Sequence, residues 1–210
     1  MDRAERAAAT LHRLRKRYPA PATTLTWKSP WELLVATILA AQCTDQQVNK
    51  VTPELFRRWP DIPSLAAADP AEVEELIRPT GFFRNKAKNL VNCARRIVND
   101  FGGEVPGTMA ELTSLPGVAR KTANIVLSNG FNRHEGIAVD THVRRLAYRM
   151  GLSDSGRPQR IEKDLLPLFP VEAWGEINHL LVWFGRDVCR ARNPDCAGCE
   201  LNDICPKRMD

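Results

Sequence analysis

The stretch Leu112–Ala123, LTSLPGVARKTA, decides the fold. A short helix-forming run is stopped by Pro116-Gly117, and a second run starts at once with Arg120 and Lys121. Proline cannot continue a helix and glycine accommodates the turn. The second helix therefore opens on backbone N–H groups that have no partner within it. Those groups, and the positive end of the helix dipole, suit a phosphate. Pro116, Gly117, Val118, Ala119 and Arg120 become candidate contacts to a polyanion, with Lys121 adding charge beside them. The same residues also fit an ordinary connection between two helices with a solvated basic end.

Outward from this hairpin the chain reads as almost entirely helical. Ser29-Pro30 is an N-cap followed by proline at the first helical position, ahead of the apolar run 31–41. Asp69-Pro70 repeats that signature. Asp45 can cap a helix to about Arg58, and Asn85 one to about Asp100 that Phe101-Gly102-Gly103 closes. Thr108 opens the first helix of the hairpin, and the second runs from about Arg120 to Asn129. Asp140 begins a helix to about Met150, and two more fit 158–168 and 172–184. Ala4, Ala7, Leu11, Leu14 and Tyr18 recur at helical spacing behind Asp2 and Glu5, so the N-terminus is expected to be a helix. Strand-like alternation is absent, which points to an all-α protein. Beyond Gly185 the chain is irregular and rich in cysteine.

Thirty Lys and Arg against 25 Asp and Glu give a formal charge of +5, consistent with a polyanionic partner without requiring one. No apolar run is long enough to span a membrane, and the N-terminus lacks the apolar core of a signal segment. Of six cysteines, Cys189, Cys196, Cys199 and Cys205 fall within the last 22 residues. Such clustering suggests a metal centre in a reducing cytosol rather than disulfides, so a cytoplasmic setting is expected. Four thiolates can hold a [4Fe–4S] cluster or a zinc ion. Structural zinc usually shows two close pairs, and here only Cys196 and Cys199 form one. Cys43 and Cys93 lie on apolar helix faces and are expected to be structural.

LPGVARKTA at 115–123 resembles the helix-hairpin-helix motif of the endonuclease III family, usually written LPGVGRKTA. VDTHVRR at 139–145, AAQCTD at 40–45 and the cysteine tail resemble further stretches of that family, in the same order. The resemblance implies a two-domain helix-hairpin-helix glycosylase fold. A six-helix domain would cover 24–134; residues 1–23 with 135–210 would hold a [4Fe–4S] cluster on Cys189, Cys196, Cys199 and Cys205. It implies a bifunctional DNA glycosylase and AP lyase that removes oxidised pyrimidines. The partner would be double-stranded DNA carrying a damaged base or abasic site. A monomer associated with the nucleoid is expected.

By resemblance Lys121 is the nucleophile and Asp140 the catalytic aspartate. An amine can form an imine with an opened sugar, which a hydroxyl or carboxylate cannot. An aspartate can take the amine's proton or stabilise positive charge on the sugar. Nearby positive charge and partial burial are expected to lower the Lys121 pKa, placing it at the mouth of a cleft. Asp140 has a plain second role as N-cap. Gln42 would enter the gap left by an extruded nucleotide, and Phe82 would wedge the opposite strand; Phe82 fits a core position under a loop equally well. Asp45 and His142 would lie near the pocket, His142 positioning rather than catalysing. Arg145 and Arg192, with Arg84, Lys86, Lys88, Arg144, Arg149 and Arg190, are candidate phosphate contacts.

Ala119 departs from the family's glycine. Alanine there costs about 1 kcal/mol if the position needs a positive φ, and nothing if it is helical; we expect the latter. An adenine glycosylase should carry a glutamate where this chain has Thr37, usually lacks the hairpin lysine, and carries an extra C-terminal domain. A monofunctional thymine-mismatch glycosylase would share most of these residues, and a non-catalytic helix-hairpin-helix DNA-binding module would share the hairpin alone.

Overall fold

The computed structural model describes residues 1–209. Among these the chain forms eleven α-helices and three short 3-10 turns, with no strand. They are α1 (Arg3–Arg17), α2 (Pro30–Leu39), α3 (Asp45–Arg58), α4 (Ile62–Ala66), α5 (Pro70–Ile77) and α6 (Phe83–Asp100). The rest are α7 (Met109–Ser114), α8 (Arg120–Gly130), α9 (Thr141–Arg149), α10 (Pro158–Leu165) and α11 (Trp174–Asp187). The chain divides into two compact units: Thr24–Arg133, and Met1–Thr23 with the residues from His134 on.

The 24–133 unit holds seven helices, one more than expected, because α4 is too short to show an apolar period in the sequence. Asp61 caps it and Pro63 sits in its first turn. Helix α2 is the centre: Trp31 and every residue from Leu33 to Leu39 are buried. A helix apolar on all sides belongs inside a core. Helix α6 buries one stripe, Leu90, Val91, Ala94 and Ile97, against this core. Its Cys93 is fully buried, and burial pushes the thiol up to about 12, so it behaves as a small apolar side chain. Gly102 and Gly103 take positive φ, and the Gly103 N–H returns to the Ile97 carbonyl, ending α6.

Two caps differ from expectation. Thr44, not Asp45, caps α3 by accepting the Gln47 N–H. Either residue type can cap, and backbone geometry chose the first. Helix α6 starts at Phe83 rather than after Asn85, because Phe82 enters it in a left-handed conformation and supplies no side-chain cap.

In the other unit, α1 opens with a capping box between Asp2 and Glu5 and buries Ala7, Leu11 and Leu14. Four of its five arginines pair with acids within the unit, Arg3 with Asp154 (2.7 Å), Arg15 with Glu176 (2.8 Å), Arg17 with Asp187 (2.6 Å) and Arg13 with Asp203, and Arg6 donates to backbone carbonyls. The basic N-terminus is therefore a clasp and not a free positive face. Phe184, Leu146, Ile177 and Leu180 form the core between α9 and α11. Among the described residues no helix is long and apolar enough to cross a membrane.

Candidate active site and cysteine centre

The hairpin between α7 and α8 is closed by the Val118 N–H donating to the Leu115 carbonyl at 3.1 Å. Leu115 and Val118 are buried and anchor the turn, leaving Gly117 exposed at its tip with φ +80°. Glycine is needed here twice over: the φ is left-handed, and a Cβ would meet the Asn89 Cβ at 2.9 Å. Ala119 is the N-cap of α8 with φ −88° and ψ 166°. That is extended rather than the helical geometry expected, yet equally free of a positive-φ penalty. Alanine offers the first turn of α8 no side-chain cap, so those amides are left for other acceptors.

Lys121 is the second residue of α8 and is exposed. The partial burial expected for it is not observed. A helical side chain lies over the turn preceding its own Cα, and here no helical turn precedes it. Arg120 is also exposed.

Asp140 caps α9. Its Oδ1 accepts the His142 and Val143 N–H groups, both at 2.8 Å, while Oδ2 lies 3.4 Å from His142 Nδ1. Both side chains are half-buried. The capping role is thus real, and it fixes the orientation of the carboxylate. Asp45, in the first turn of α3, accepts a hydrogen bond from the Thr24 hydroxyl.

Gln42 and Phe82, with φ 53° and φ 49°, are two of five non-glycine residues in left-handed backbone among the described residues, the others being Asn132, Asn193 and Lys207. A bulky residue held there is strained, and such strain collects at functional positions. Gln42 and Phe82 are both exposed, Phe82 at 63%, which excludes a core role for its ring. Thr37, by contrast, is buried within α2, where its hydroxyl donates to the Leu33 carbonyl.

Three of the eight candidate phosphate contacts turn inward, a correction to what the sequence leads one to expect. Arg145 donates to the carbonyls of Gly185 (3.0 Å) and Cys189 (3.1 Å), and burial lowers its pKa. Arg149 is buried and donates to the carbonyls of Arg190 and Ala191. Lys86 is buried, its pKa lowered by that burial, and it donates to two carbonyls. Unpaired carbonyls at helix and loop ends attract cations, and nothing local in sequence shows where those carbonyls fall. Arg84, Lys88, Arg144, Arg190 and Arg192 are exposed.

Cys189, Cys196, Cys199 and Cys205 carry no disulfide and line one cavity of about 30 Å³, walled also by Phe184, Val188 and Leu201. Among the described residues no three His, Cys, Asp or Glu side chains come together closely enough for a single metal ion. Four thiols lining one cavity can serve a zinc ion or a [4Fe–4S] cluster, and their spacing along the chain, with only one close pair, favours the cluster. Donors converge on the sulfurs: Leu201 N–H on Cys199 and Lys207 N–H on Cys205, both 3.4 Å, and Arg149 on Cys189 at 3.7 Å. Such outer donors favour thiolate ligands. Burial raises the pKa of the Cys199 and Cys205 thiols, which a bound cation would reverse. The donor set fits an iron–sulfur cluster.

Helices throughout the described residues, a glycine-locked hairpin, an exposed lysine at its second helix and a four-thiol tail define a helix-hairpin-helix protein. The chain belongs to the HhH-GPD superfamily of base excision DNA repair proteins, whose pattern it matches over residues 35–170. It is 52% identical over 202 residues to endonuclease III of Synechocystis sp., covering 96% of this chain and 92% of that protein. It is 38% identical over 205 residues to endonuclease III of Escherichia coli K12, covering 98% and 96%. Among solved structures, a trapped endonuclease III–DNA covalent intermediate superposes with a TM-score of 0.92 at 38% identity, covering 99% of this chain and 97% of that one. A thermostable thymine-DNA glycosylase shares the fold, with a TM-score of 0.84 at 21% identity.

Proposed function

We infer that this chain is a bifunctional DNA glycosylase and AP lyase of base excision repair, that oxidised pyrimidines in double-stranded DNA are its substrates, and that Lys121 and Asp140 carry the reaction. The observation that carries the reading is the hairpin: Gly117 fixes a turn that sets an amine, Lys121, on the open first turn of α8. A monofunctional glycosylase has no use for an amine there, and a non-catalytic module needs neither it nor Asp140.

In this reading the exposed face of the hairpin, Pro116 to Arg120, grips backbone phosphate, with Arg192 of the tail a further contact. Gln42 and Phe82 fill the duplex where the damaged nucleotide has left it. Asp140, held by two backbone N–H groups, takes the role the family gives its aspartate, as a proton acceptor or as a stabiliser of positive charge on the sugar, while Lys121 reacts as the free amine. The Nζ then bonds to C1′ as the bond from C1′ to the damaged base breaks, and the base leaves with a proton. Opening of the sugar gives an imine. Loss of the C2′ proton then expels the 3′ phosphate, because the imine accepts the electron pair. His142 steadies the carboxylate from one side, and Asp45 borders the pocket.

The four cysteines, Cys189, Cys196, Cys199 and Cys205, would hold a [4Fe–4S] cluster. When bound, that group supplies a redox-capable centre and a covalent tie across an otherwise irregular tail. The tail then presents Arg190 and Arg192 outward while Arg145 and Arg149 hold its carbonyls from within.

Borohydride trapping on duplex DNA bearing an abasic site or thymine glycol tests the reading. A covalent adduct in the wild type, absent in Lys121→Ala, is expected. Base release without trapping would overturn the lyase assignment, and DNA binding with neither would reduce the chain to a binding module.

A further inference from the structure

Lys86 is 4% exposed, which is rare for an ammonium group. Its Nζ donates to the carbonyl of Leu39 and to the carbonyl of Thr80, each at 2.8 Å. Both acceptors end helical segments: Leu39 is the last residue of α2, and Thr80 closes the 3-10 turn Arg78–Thr80. A cation is favoured at such carbonyl ends. That explains how the charge is tolerated, and loss of the ammonium would leave both carbonyls unpaired at a cost in stability; where those carbonyls lie gives the contact a second consequence.

Leu39 stands three residues before Gln42, and Thr80 stands two residues before Phe82. Gln42 and Phe82 are two of the left-handed residues described above. The Lys86 backbone N–H donates to the Phe82 carbonyl at 3.1 Å, the ordinary first-turn bond of α6, so the ammonium is what ties the segment before Phe82 to the segment before Gln42. Strained backbone persists only where its surroundings over-determine it.

We propose that Lys86 is a positioning residue: its ammonium clamps the end of α2 to the Arg78–Thr80 turn and so fixes the separation and aim of Gln42 and Phe82. The proposal rests on the reading that these two side chains enter damaged DNA. It assigns Lys86 no contact with DNA and no part in the chemistry.

The test uses the full chain with its metal centre loaded and the variant Lys86→Met, which keeps the length of the stem and removes the donors. The DNA is a duplex carrying a tetrahydrofuran abasic analogue opposite 2-aminopurine, compared with the same duplex unmodified. Wild-type borohydride trapping on natural abasic DNA is run alongside; if it fails, the underlying reading falls and this one with it. Given trapping, Lys86→Met is expected to lose about tenfold in affinity for the abasic analogue and less than about twofold for unmodified DNA. The 2-aminopurine response, which reports what is inserted beside it, should be lost as well. Introduced into a Gln42→Ala, Phe82→Ala background, the same change should cost less than about twofold more, since interacting sites are not additive. Equal losses on both duplexes, or full additivity, would show a merely structural lysine and overturn the proposal. If Lys86→Met does not fold, Lys86→Arg decides: its longer planar head cannot meet both carbonyls in the same geometry, so a selective loss of about threefold or more is expected, and wild-type selectivity would overturn the proposal.

Discussion

A methyl group placed on Gly117 would lie 2.9 Å from the Cβ of Asn89. The hairpin that carries Lys121 is thereby seated directly on α6, with no room for a side chain at the turn. Gly117→Ala is expected to destabilise the protein by about 2–4 kcal/mol, combining the positive-φ cost with the clash. Ala119→Ser, two residues on, has an extended backbone ready to cap α8 and should add about 0.5–1 kcal/mol. Thermal unfolding of the two variants measures both, and equal effects would show that the turn is not the constrained element.

Asp140 serves its helix and, in our reading, the reaction. The two roles separate by substitution. Asp140→Asn keeps an Oδ1 acceptor for the His142 and Val143 amides and should stay within about 0.5 kcal/mol of wild type. Asp140→Ala loses the cap, at a cost of about 1 kcal/mol. Both variants should lose about 10²–10⁴-fold in base release. Single-turnover kinetics beside thermal melts checks this; activity that follows stability would leave Asp140 a cap alone.

Phe82 is held exposed in a left-handed conformation. Phe82→Gly should therefore raise stability by about 1 kcal/mol while weakening binding to abasic-site DNA. A melting curve and a titration on the same preparation reveal the opposed signs.

The clasp around α1 predicts a response to acid. Hydrogen bonds from Arg3 and Arg208 hold the Asp154 carboxyl below its usual range, those from Arg17 and Tyr18 do so for Asp187, and that from Arg13 for Asp203. A carboxyl depressed in the folded state contributes stability above its unfolded pKa of about 4, and that contribution is lost as pH falls through the folded value. Unfolding followed by circular dichroism should steepen below about pH 4. Asp154→Asn should flatten it, and salt should weaken the clasp at neutral pH, because these pairs are exposed.

Replacing any one of the four tail cysteines tests the proposed cluster. Cys205→Ser is expected to abolish the visible iron–sulfur absorbance and the bound iron, and to destabilise the 189–205 loop towards proteolysis. Zinc bound in place of iron in the wild type would contradict the assignment.

Much of this protein is legible along the chain, because the signals are local. Ser29-Pro30, Asp69-Pro70, Thr108 and Asp140 each mark a helix start through groups within three residues of one another, and all four cap as expected. The Leu115–Val118 turn and the cysteine spacing are local as well, so the hairpin and the four-thiol tail are visible in the order of residues itself. Reading fails where neighbours in space decide. Thr44 and Asp45 are both good caps, and only the path of the backbone selects Thr44. The left-handed entry at Phe82 leaves no trace in residue type, and it shifts the start of α6. Lys86, Arg145 and Arg149 look like surface cations in a basic chain, yet each turns inward. A long charged side chain goes wherever unpaired carbonyls await it, and those carbonyls are set by how distant helices end against one another, a matter that packing settles and composition does not.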